Sequence, residues 1–497
     1  MDGSGRPLRS ARPRASQSEV RAAFRRNVAR LEARYDAAQT TTHNQRHWAQ
    51  ADLLDAAAAA SPAVRAKIRS RARYEVHEAN SWAKGLALTL AVDTIGRGPR
   101  LQLQTEQETH NRQVSRSWNR WAAEIQLARK LRTAKVSKTV DGEIFILQRT
   151  NRRLRHLVKL DLQLVEGDQI ATPDASGLDP DAIDGIRFDS EGVPEEYHLL
   201  QQHPGTDRPV SGGLLDYERI PADQVVHWFR EDRPGQGRGV SEFACSLPLY
   251  AQLRRFGLAV IAAAETAAEY SAVMYTDGSA VEPDDVEPMD AIELEMRSML
   301  TLPQGWKLGQ IKAEHPTTTH AQFVRSLIGE VARSLGMPLA RALGDSSGFT
   351  YASGKLDRDA YLDVLTVERH DCEAVILAAV FGWWLKEASL IPGLLPAGFE
   401  AGELPEHSWQ WDGFRETDAN RQAAADAAYW ELGLLTDEDI LQRRGTDQHE
   451  HDKRLDRQME RRRRLGLPLP GEKDRDPAGR NAAITAADDE TESRAAA

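Results

Sequence analysis

The stretch Val225 to Ser241, VVHWFREDRPGQGRGVS, carries the transition on which the fold turns. Val225, Val226, Trp228 and Phe229 read as a short apolar strand. Arg230, Arg233 and Arg238 then share a turn with Pro234 and three glycines, and Ser241 stands where its hydroxyl can cap a following helix. By residue type this is a rigid strand-to-helix hinge with cationic edges, suited to carboxylates on a neighbour or to phosphate.

Beyond the hinge, Ser241 to Ala272 is dominated by Ala and Leu, with Leu249, Leu253, Phe256, Val260 and Ala264 on one helical face and Pro248 in the first turns. Such small side chains suit close helix-to-helix approach. An acidic, proline-punctuated excursion follows from Asp277 to Glu295, then a strand-like Ser298 to Leu302 and a turn at Pro303 to Gly305. Thr317 to Thr319 can cap a second helix with Phe323, Leu327, Val331 and Leu335 on its apolar face, stopped by Gly336, Met337 and Pro338. The order is helix, excursion, helix.

Upstream of the hinge, His156 to Val165, Gly185 to Phe188, Glu196 to Leu200 and Gln224 to Trp228 are short and rich in Leu, Val and Ile. They read as a small antiparallel sheet beside helices, an α+β fold that is mainly helical. In KTVDGEIFILQR (Lys138 to Arg149), Asp141 and Gly142 between extended-looking runs give a hairpin signal. Helices are expected over Ser115 to Leu131 and over Pro62 to Ile95, the latter stopped by Gly96, Gly98 and Pro99, with Arg100 to Gln104 alternating as a strand. Gln17 to Leu54 carries a helical apolar face at Val20, Phe24, Val28 and Leu31, and Met1 to Arg14 reads as a basic arm. Towards the C-terminus, helices are expected over Asp357 to Glu387, Thr417 to Leu432 and Thr436 to Arg443, the last with Asp439 placed for a capping box. Asp447 to Arg464 reads as a charged surface helix, and disorder is expected from Gly466.

With 497 residues the chain is long enough for about three domains. Its 64 Lys and Arg against 75 Asp and Glu, a net −11, argue against tight nucleic-acid binding over the whole surface, because phosphate affinity comes from Lys and Arg releasing counterions. The longest apolar stretch, Phe256 to Ala264, is far short of the roughly 20 residues that span a bilayer, so no membrane association is expected. Two cysteines and no apolar signal sequence suggest a reducing, cytoplasmic place of synthesis. The P-loop, G-x-S-x-G and H-E-x-x-H motifs are all missing, so no catalytic residue, cofactor or metal is expected. His449, His451 and Asp452 have ligand chemistry, but i, i+2 spacing on a helix turns the two imidazoles apart.

IPADQVVHWF (Ile220 to Phe229) followed by RPGQGRGVS resembles the signature stretch of the lambda-type phage portal proteins. ARYEVHEANSWAKGLALTLAVDTIGRGPRLQL (Ala72 to Leu103) is similar to the family's N-terminal helix and its glycine-rich exit, and VDGEIFI (Val140 to Ile146) to its Gly-Glu hairpin. FVRSLIGEVARSLGMPLARALGDSSGFTYASGK (Phe323 to Lys355) and GLLTDEDILQRRGTD (Gly433 to Asp447) resemble later segments in the family's order. Two departures stand out: Thr350 to Lys355 replaces the usual Asn and Ser-Ala-Arg, and Trp409 to Asp418 lacks the usual Asp-Pro.

The resemblance implies a ring-forming fold with wing, stem, clip and crown, typically a homo-oligomer of twelve copies, a dodecamer. It sits at one capsid vertex of the virion as the conduit for double-stranded DNA packaging and ejection, after assembly in the host cytoplasm. On this chain it implies an N-terminal arm and helix at 1–54, a wing at 55–240 and a first stem helix at 241–272. A clip at 273–318 and a second stem helix at 319–336 follow, then a tunnel-loop region at 337–356. A wing helix and return at 357–415, crown helices at 416–465 and a disordered tail at 466–497 complete the division. Partners implied are the terminase large subunit, the major capsid protein and scaffold, a head-tail adaptor, and DNA passing without sequence specificity. DNA-channel candidates are Glu265, Glu269, Arg341 and Lys355; inter-subunit or hinge candidates are Arg230, Arg233 and Arg238. Candidates for docking terminase and adaptor are Asp284, Asp285, Glu287, Asp290 and Glu293. The competing classes are a head-tail adaptor ring without motor contact, which the chain length disfavours, and a hydrolase with scattered acid and base.

Overall fold

The computed structural model describes residues 61–172, 182–206, 217–269, 273–276, 306–309, 319–396, 404–414, 418–467 and 469. The expected N-terminal arm and helix, the acidic excursion with its strand at Ser298 to Leu302, and the tail from 470 lie outside the described residues.

Helix α1 (Pro62–Arg73) starts at the Ser61 cap and runs through a π-helical turn, Tyr74–Ala79, to Asn80. There the chain turns extended, and the Asn80 side chain accepts from the N–H groups of Trp82 and Ala83 to start α2 (Ser81–Ile95). The expected single run is therefore two helices broken at a polar cap. Strand β1 (Arg100–Leu103) is followed by α3 (Glu108–Glu124) and α4 (Leu127–Asp141). The hairpin expected at Asp141 and Gly142 is instead a helix-to-strand turn. Lys138 to Asp141 close α4, and Gly142 adopts a φ of 92° that ends the helix and releases β2 (Glu143–Thr150).

β2 is the central strand of the sheet β3-β2-β8, with β3 at Leu160–Val165 and β8 at Val225–Phe229, both antiparallel to it. A second antiparallel sheet orders β4 (Ala182–Ile183), β5 (Ile186–Phe188), β6 (Pro194–Leu200) and β7 (Tyr217–Pro221). Residues 143 to 147 are buried on both faces, which accounts for their near-continuous apolar reading. Ile144 and Ile146 meet Trp118, Trp121 and Trp228, while Phe145 and Leu147 meet Tyr197, Leu199 and Ile220.

Helix α5 (Leu247–Glu269) begins six residues after Ser241, with Pro248 in its first turn. Ser241 does not cap it: its Oγ accepts from the N–H of Phe243 and donates to the Thr139 carbonyl. Strands β9 (Val273–Thr276) and β10 (Trp306–Gly309) pair antiparallel, and α6 (Thr319–Ser334) returns, its Phe323 ring 4.8 Å from Phe256 of α5. After the short α7 (Leu339–Leu343), Thr350 and Ser353 form a capping box for α8 (Tyr351–Cys372). A π-helical turn, Glu373–Leu377, joins α8 to α9 (Ala378–Ser389) in one rod. Lys355 is helical, inside the first turns of α8, so the connection between α7 and α8 is short. β11 (His407–Gln410) pairs with β1, 300 residues away in sequence, to close the aromatic core around Trp118, Phe381, Trp384 and Trp409. Helices α10 (Ala419–Glu431), α11 (Asp437–Arg443) and α12 (Gln448–Arg464) follow, with the capping box of α11 formed by Thr436 and Asp439 as expected.

The α4–β2 turn and the glycine-rich hinge approach backbone to backbone. A Cβ on Gly239 would overlap the Gly142 carbonyl, and one on Gly142 would overlap the Val240 backbone. Gly239→Ala is therefore expected to destabilise by more than about 2 kcal/mol, since no flexible side chain can yield. Urea denaturation measures it, and a midpoint within error of the parent would contradict the close approach.

Candidate functional site

The glycine-rich hinge folds back against β2, and its last arginine is inside the protein. Arg238, 2% exposed, uses all five of its donors. Nε and Nη2 donate to the Glu143 carboxylate at 2.9 and 2.7 Å, Nη2 also to the Gly167 carbonyl at 3.0 Å, and Nη1 to the carbonyls of Ile170 at 3.1 Å and of Asp184. Glu143, fully buried, also accepts from Arg69 Nη1 (3.1 Å), His227 Nε2 (3.1 Å) and the Gly239 N–H (2.9 Å). Strand register delivers the histidine: His227 stands opposite Phe145, the rings stack 4.2 Å apart, and the imidazole shares the face of β2 from which Glu143 projects.

Helix α1 supplies the rest of the cations. Arg65, Arg69 and Arg73 recur every fourth residue and so share a face. Arg65 pairs with Asp184; Arg69 grips Asp168 at 2.5 Å as well as Glu143; Arg73 reaches Asp141 (2.7 Å), Asp168 (2.7 Å) and Glu166 (3.1 Å). Burial alone would raise the Glu143 carboxyl, but Arg238 and His227 override it and hold the group well below the usual carboxylate range. Burial lowers His227 more than Glu143 raises it, so the ring is neutral at pH 7 and its Nε2–H donates.

A second buried cluster lies at the other end of the hinge. Lys135 and Lys138 of α4, each 1% exposed, place their ammonium groups 2.7 and 2.9 Å from Glu368 of α8 and 3.7 Å from Glu242. Lys138 also lies 4.9 Å from the Trp228 ring centre, a cation–π contact. Burial pushes Glu368 up, yet the two lysines bring it down to about 2; Glu242 and Glu368 likewise keep Lys135 charged against burial. Glu242 donates its N–H to the Thr139 carbonyl at 3.0 Å. Residues 238 to 242 are thereby clamped at both ends onto α4 and β2, and α5 leaves from a fixed root. The chemistry here is fixation: opposed charges hold α1, α4, β2, the hinge and α8, with the loops beside them, in one arrangement.

Of the expected hinge or inter-subunit arginines, Arg238 is buried in the hinge against Glu143 of its own chain. Arg230 pairs locally with Asp232 at 2.7 Å, and Arg233 is exposed on the turn. Arg341 is engaged by Asp93 at 2.5 Å, which also accepts from the Tyr361 hydroxyl at 3.0 Å. Lys355 and Glu265 are exposed, and Glu269 ends α5 with its side chain outside the described residues. Asp284, Asp285, Glu287, Asp290 and Glu293 lie outside the described residues. Glu166, Asp168 and His203 bring ligand atoms within 4.8 Å of one another, but Arg73 pairs with both carboxylates and already supplies the positive charge a metal would. His449 faces Glu108 at 4.0 Å and His451 faces its neighbour Asp452 at 3.5 Å, so they do not converge. Sequence reasoning missed Arg65, Arg69, Arg73, Glu143, Lys135, Lys138 and Glu368. The available signals were arginines repeating every fourth residue and a glutamate opening an otherwise apolar strand.

Removing one member of the Glu143–Arg238 pair leaves a buried charge alone, so Glu143→Leu or Arg238→Met is expected to cost about 3–5 kcal/mol. The double variant should cost clearly less than the sum in urea denaturation; strict additivity would mean the two do not interact. Glu143, Glu368 and His227 all have folded-state pKa values below their unfolded ones, so in acid the unfolded chain binds more protons. Stability is then full above the unfolded histidine value of 6.5 and declines as pH falls through 4.5 towards about 2. Melting temperatures followed from neutral pH into acid should fall, and Glu368→Gln should flatten the lower part of that fall.

The profile of the phage portal protein family, lambda family, matches residues 41–358, more than half of the chain. A probable portal protein of Halomonas phage phiHAP-1 is 26% identical over 352 residues, covering 66% of this chain and 65% of that protein's length. Among solved structures, a chain in the virion of a native gene transfer agent particle aligns with a TM-score of 0.42 at 13% identity, over 81% of this chain and 94% of that one. A chain in the neck of the native particle, computed with C12 symmetry, aligns at 0.44 and 14%, over 83% and 96%. At that overlap, assembly has to be argued from this chain's own surface. The segments that resemble the family fall within the matched region in four cases of five, and because the profile spans more than half of the chain, the chain belongs to the lambda family of phage portal proteins.

Proposed function

We propose that copies of this chain close into a ring, with α5 and α6 as the paired stem helices around a bore that passes double-stranded DNA during packaging and ejection. One observation carries this reading. From Leu258 onward α5 is apolar yet uncovered: Leu258 is 64% exposed, Ile261 55%, and Ala259, Ala263 and Ala264 are exposed as well. A helix apolar around its circumference is stable in water only when other surfaces bury it. Small side chains let identical helices approach closely, and a closed symmetric assembly covers the same patch on every copy.

In this arrangement the β9–β10 ribbon marks the far end of the helix pair. The segment between those strands, with its five acidic candidates, would face terminase during packaging and an adaptor afterwards, steering them by charge. Glu265 forms no ion pair among the described residues, and a carboxylate belt in the bore would repel phosphate and keep DNA from adhering. Lys355 remains a backbone-contact candidate, whereas Arg341 would first have to leave Asp93. No step of this function requires a cofactor or a catalytic group, and the place of action is the portal vertex of the virion.

Negative-stain imaging of purified protein tests the ring: annular particles with a central hole are expected. Leu258→Glu with Ile261→Glu should shift the population to single chains while leaving the circular dichroism spectrum unchanged. Rings that persist in that variant would remove the stem assignment. Glu265→Lys with Glu269→Lys should shorten the packaged DNA with rings intact; loss of the rings instead would place these carboxylates between subunits.

A further inference from the structure

Helix α12 concentrates positive charge on a chain that is acidic as a whole. Lys453, Arg457, Arg461 and Arg464 follow one another at four-, four- and three-residue spacing, so they form one stripe. All four are exposed, and none forms an ion pair among the described residues. At 1.5 Å per residue the stripe is about 16 Å long. Its first half borders a groove of about 460 Å³ between α12, β1 and α3, across which Arg112 and Arg116 stand. The acids in that groove are already engaged. Glu108 pairs with Arg112, Glu450 with Arg454 at 2.9 Å, and Asp447 accepts the Glu450 N–H at 2.8 Å and the Gln102 amide at 2.6 Å. Arg457 and Arg116 are left lining the groove with no ion pair among the described residues, and Lys453 feels the Glu108 charge that Arg112 already pairs with.

We infer that this stripe and groove bind the phosphate backbone of double-stranded nucleic acid, without reading its sequence, at a surface distinct from the proposed bore helices. A row of cations at regular intervals along a rigid rod matches a linear polyanion better than a single phosphate. An acidic protein segment is the other class of polyanion, but docked peptides are anchored by apolar or aromatic side chains, and α12 offers only Leu455 and Met459. The inference does not depend on ring closure, since every residue it uses comes from one chain.

The test is fluorescence anisotropy of the full chain with a labelled random-sequence duplex of about 30 base pairs, titrated at several salt concentrations. Arg457→Ala with Arg461→Ala and Arg464→Ala removes three phosphate contacts on an exposed face and should lower the slope of log affinity against log salt by about 2.7. Between 50 and 200 mM salt the parent should thus lose about 40-fold more affinity than the variant. Arg152→Ala with Arg153→Ala, exposed at the tip of the β2–β3 hairpin, should leave the slope unchanged. An equal drop in that control, an unchanged slope in the α12 variant, or a preference for poly-glutamate over duplex at matched salt would each overturn the inference.

Discussion

A carboxylate sealed inside a protein needs positive charge on it, and Glu143 obtains that charge from Arg238, a residue 95 positions further along the chain. The pair constrains everything nearby. Arg238 can reach Glu143 only if Gly239 lies against the Gly142 carbonyl, and that approach leaves no room for a Cβ on either residue. Gly142 in turn must end α4 with a positive φ so that β2 starts with Glu143 facing inward. Because all five guanidinium donors are used, the carbonyls of Gly167 and Ile170 after β3 and of Asp184 after β4 are held by the same residue. Ion pairs this deep are weak sources of net stability, since desolvation offsets most of the attraction. What they favour is uniqueness: a placement of the hinge that left either charge unpaired would be heavily penalised.

That uniqueness matters for the helix that follows. Four residues beyond Arg238, Glu242 is near the Lys135 and Lys138 ammonium groups, and the chain enters α5 from a root fixed at two points. A long apolar helix projecting from a loose root would sample many directions and aggregate through its uncovered face. Held rigidly, the same surface can meet an identical surface at one angle, as a symmetric assembly requires. In the proposed ring the buried charges would set the direction of α5 and its exposed alanines would supply the adhesion.

Much of the fold was readable from periodicity. α5, α6 and the α8–α9 rod stand close to where their apolar spacing put them, α12 stands where its charged surface-helix reading put it, and the α+β class follows from short strands between turn residues. The errors have physical causes. Lys138 to Asp141 looked extended because Thr139 and Val140 favour strands, yet they form the last turn of α4, held there by the burial of both lysines and the Trp228 contact. The β1–β11 pairing joins segments 300 residues apart and leaves no local trace. The hinge cations were read as edges because arginine is usually exposed. Only the three-dimensional arrival of Glu143, Asp168 and Asp184 shows that Arg238 belongs inside, and that Arg65, Arg69 and Arg73 are the inner face of α1.

The rod formed by α8, the π-helical turn and α9 belongs to two cores at once. Tyr361 and Leu365 lie in the core shared with α2, α5 and α6, whereas Ile376, Val380, Phe381 and Trp384 lie in the aromatic core under β1 and β11. One extra residue in the π turn offsets the helical phase by about 100°, which lets one continuous helical rod present its apolar side to both compartments. Deleting that extra residue would turn Ile376, Val380, Phe381 and Trp384 away from the aromatic core by the same angle, so the two compartments together fix the residue count between them.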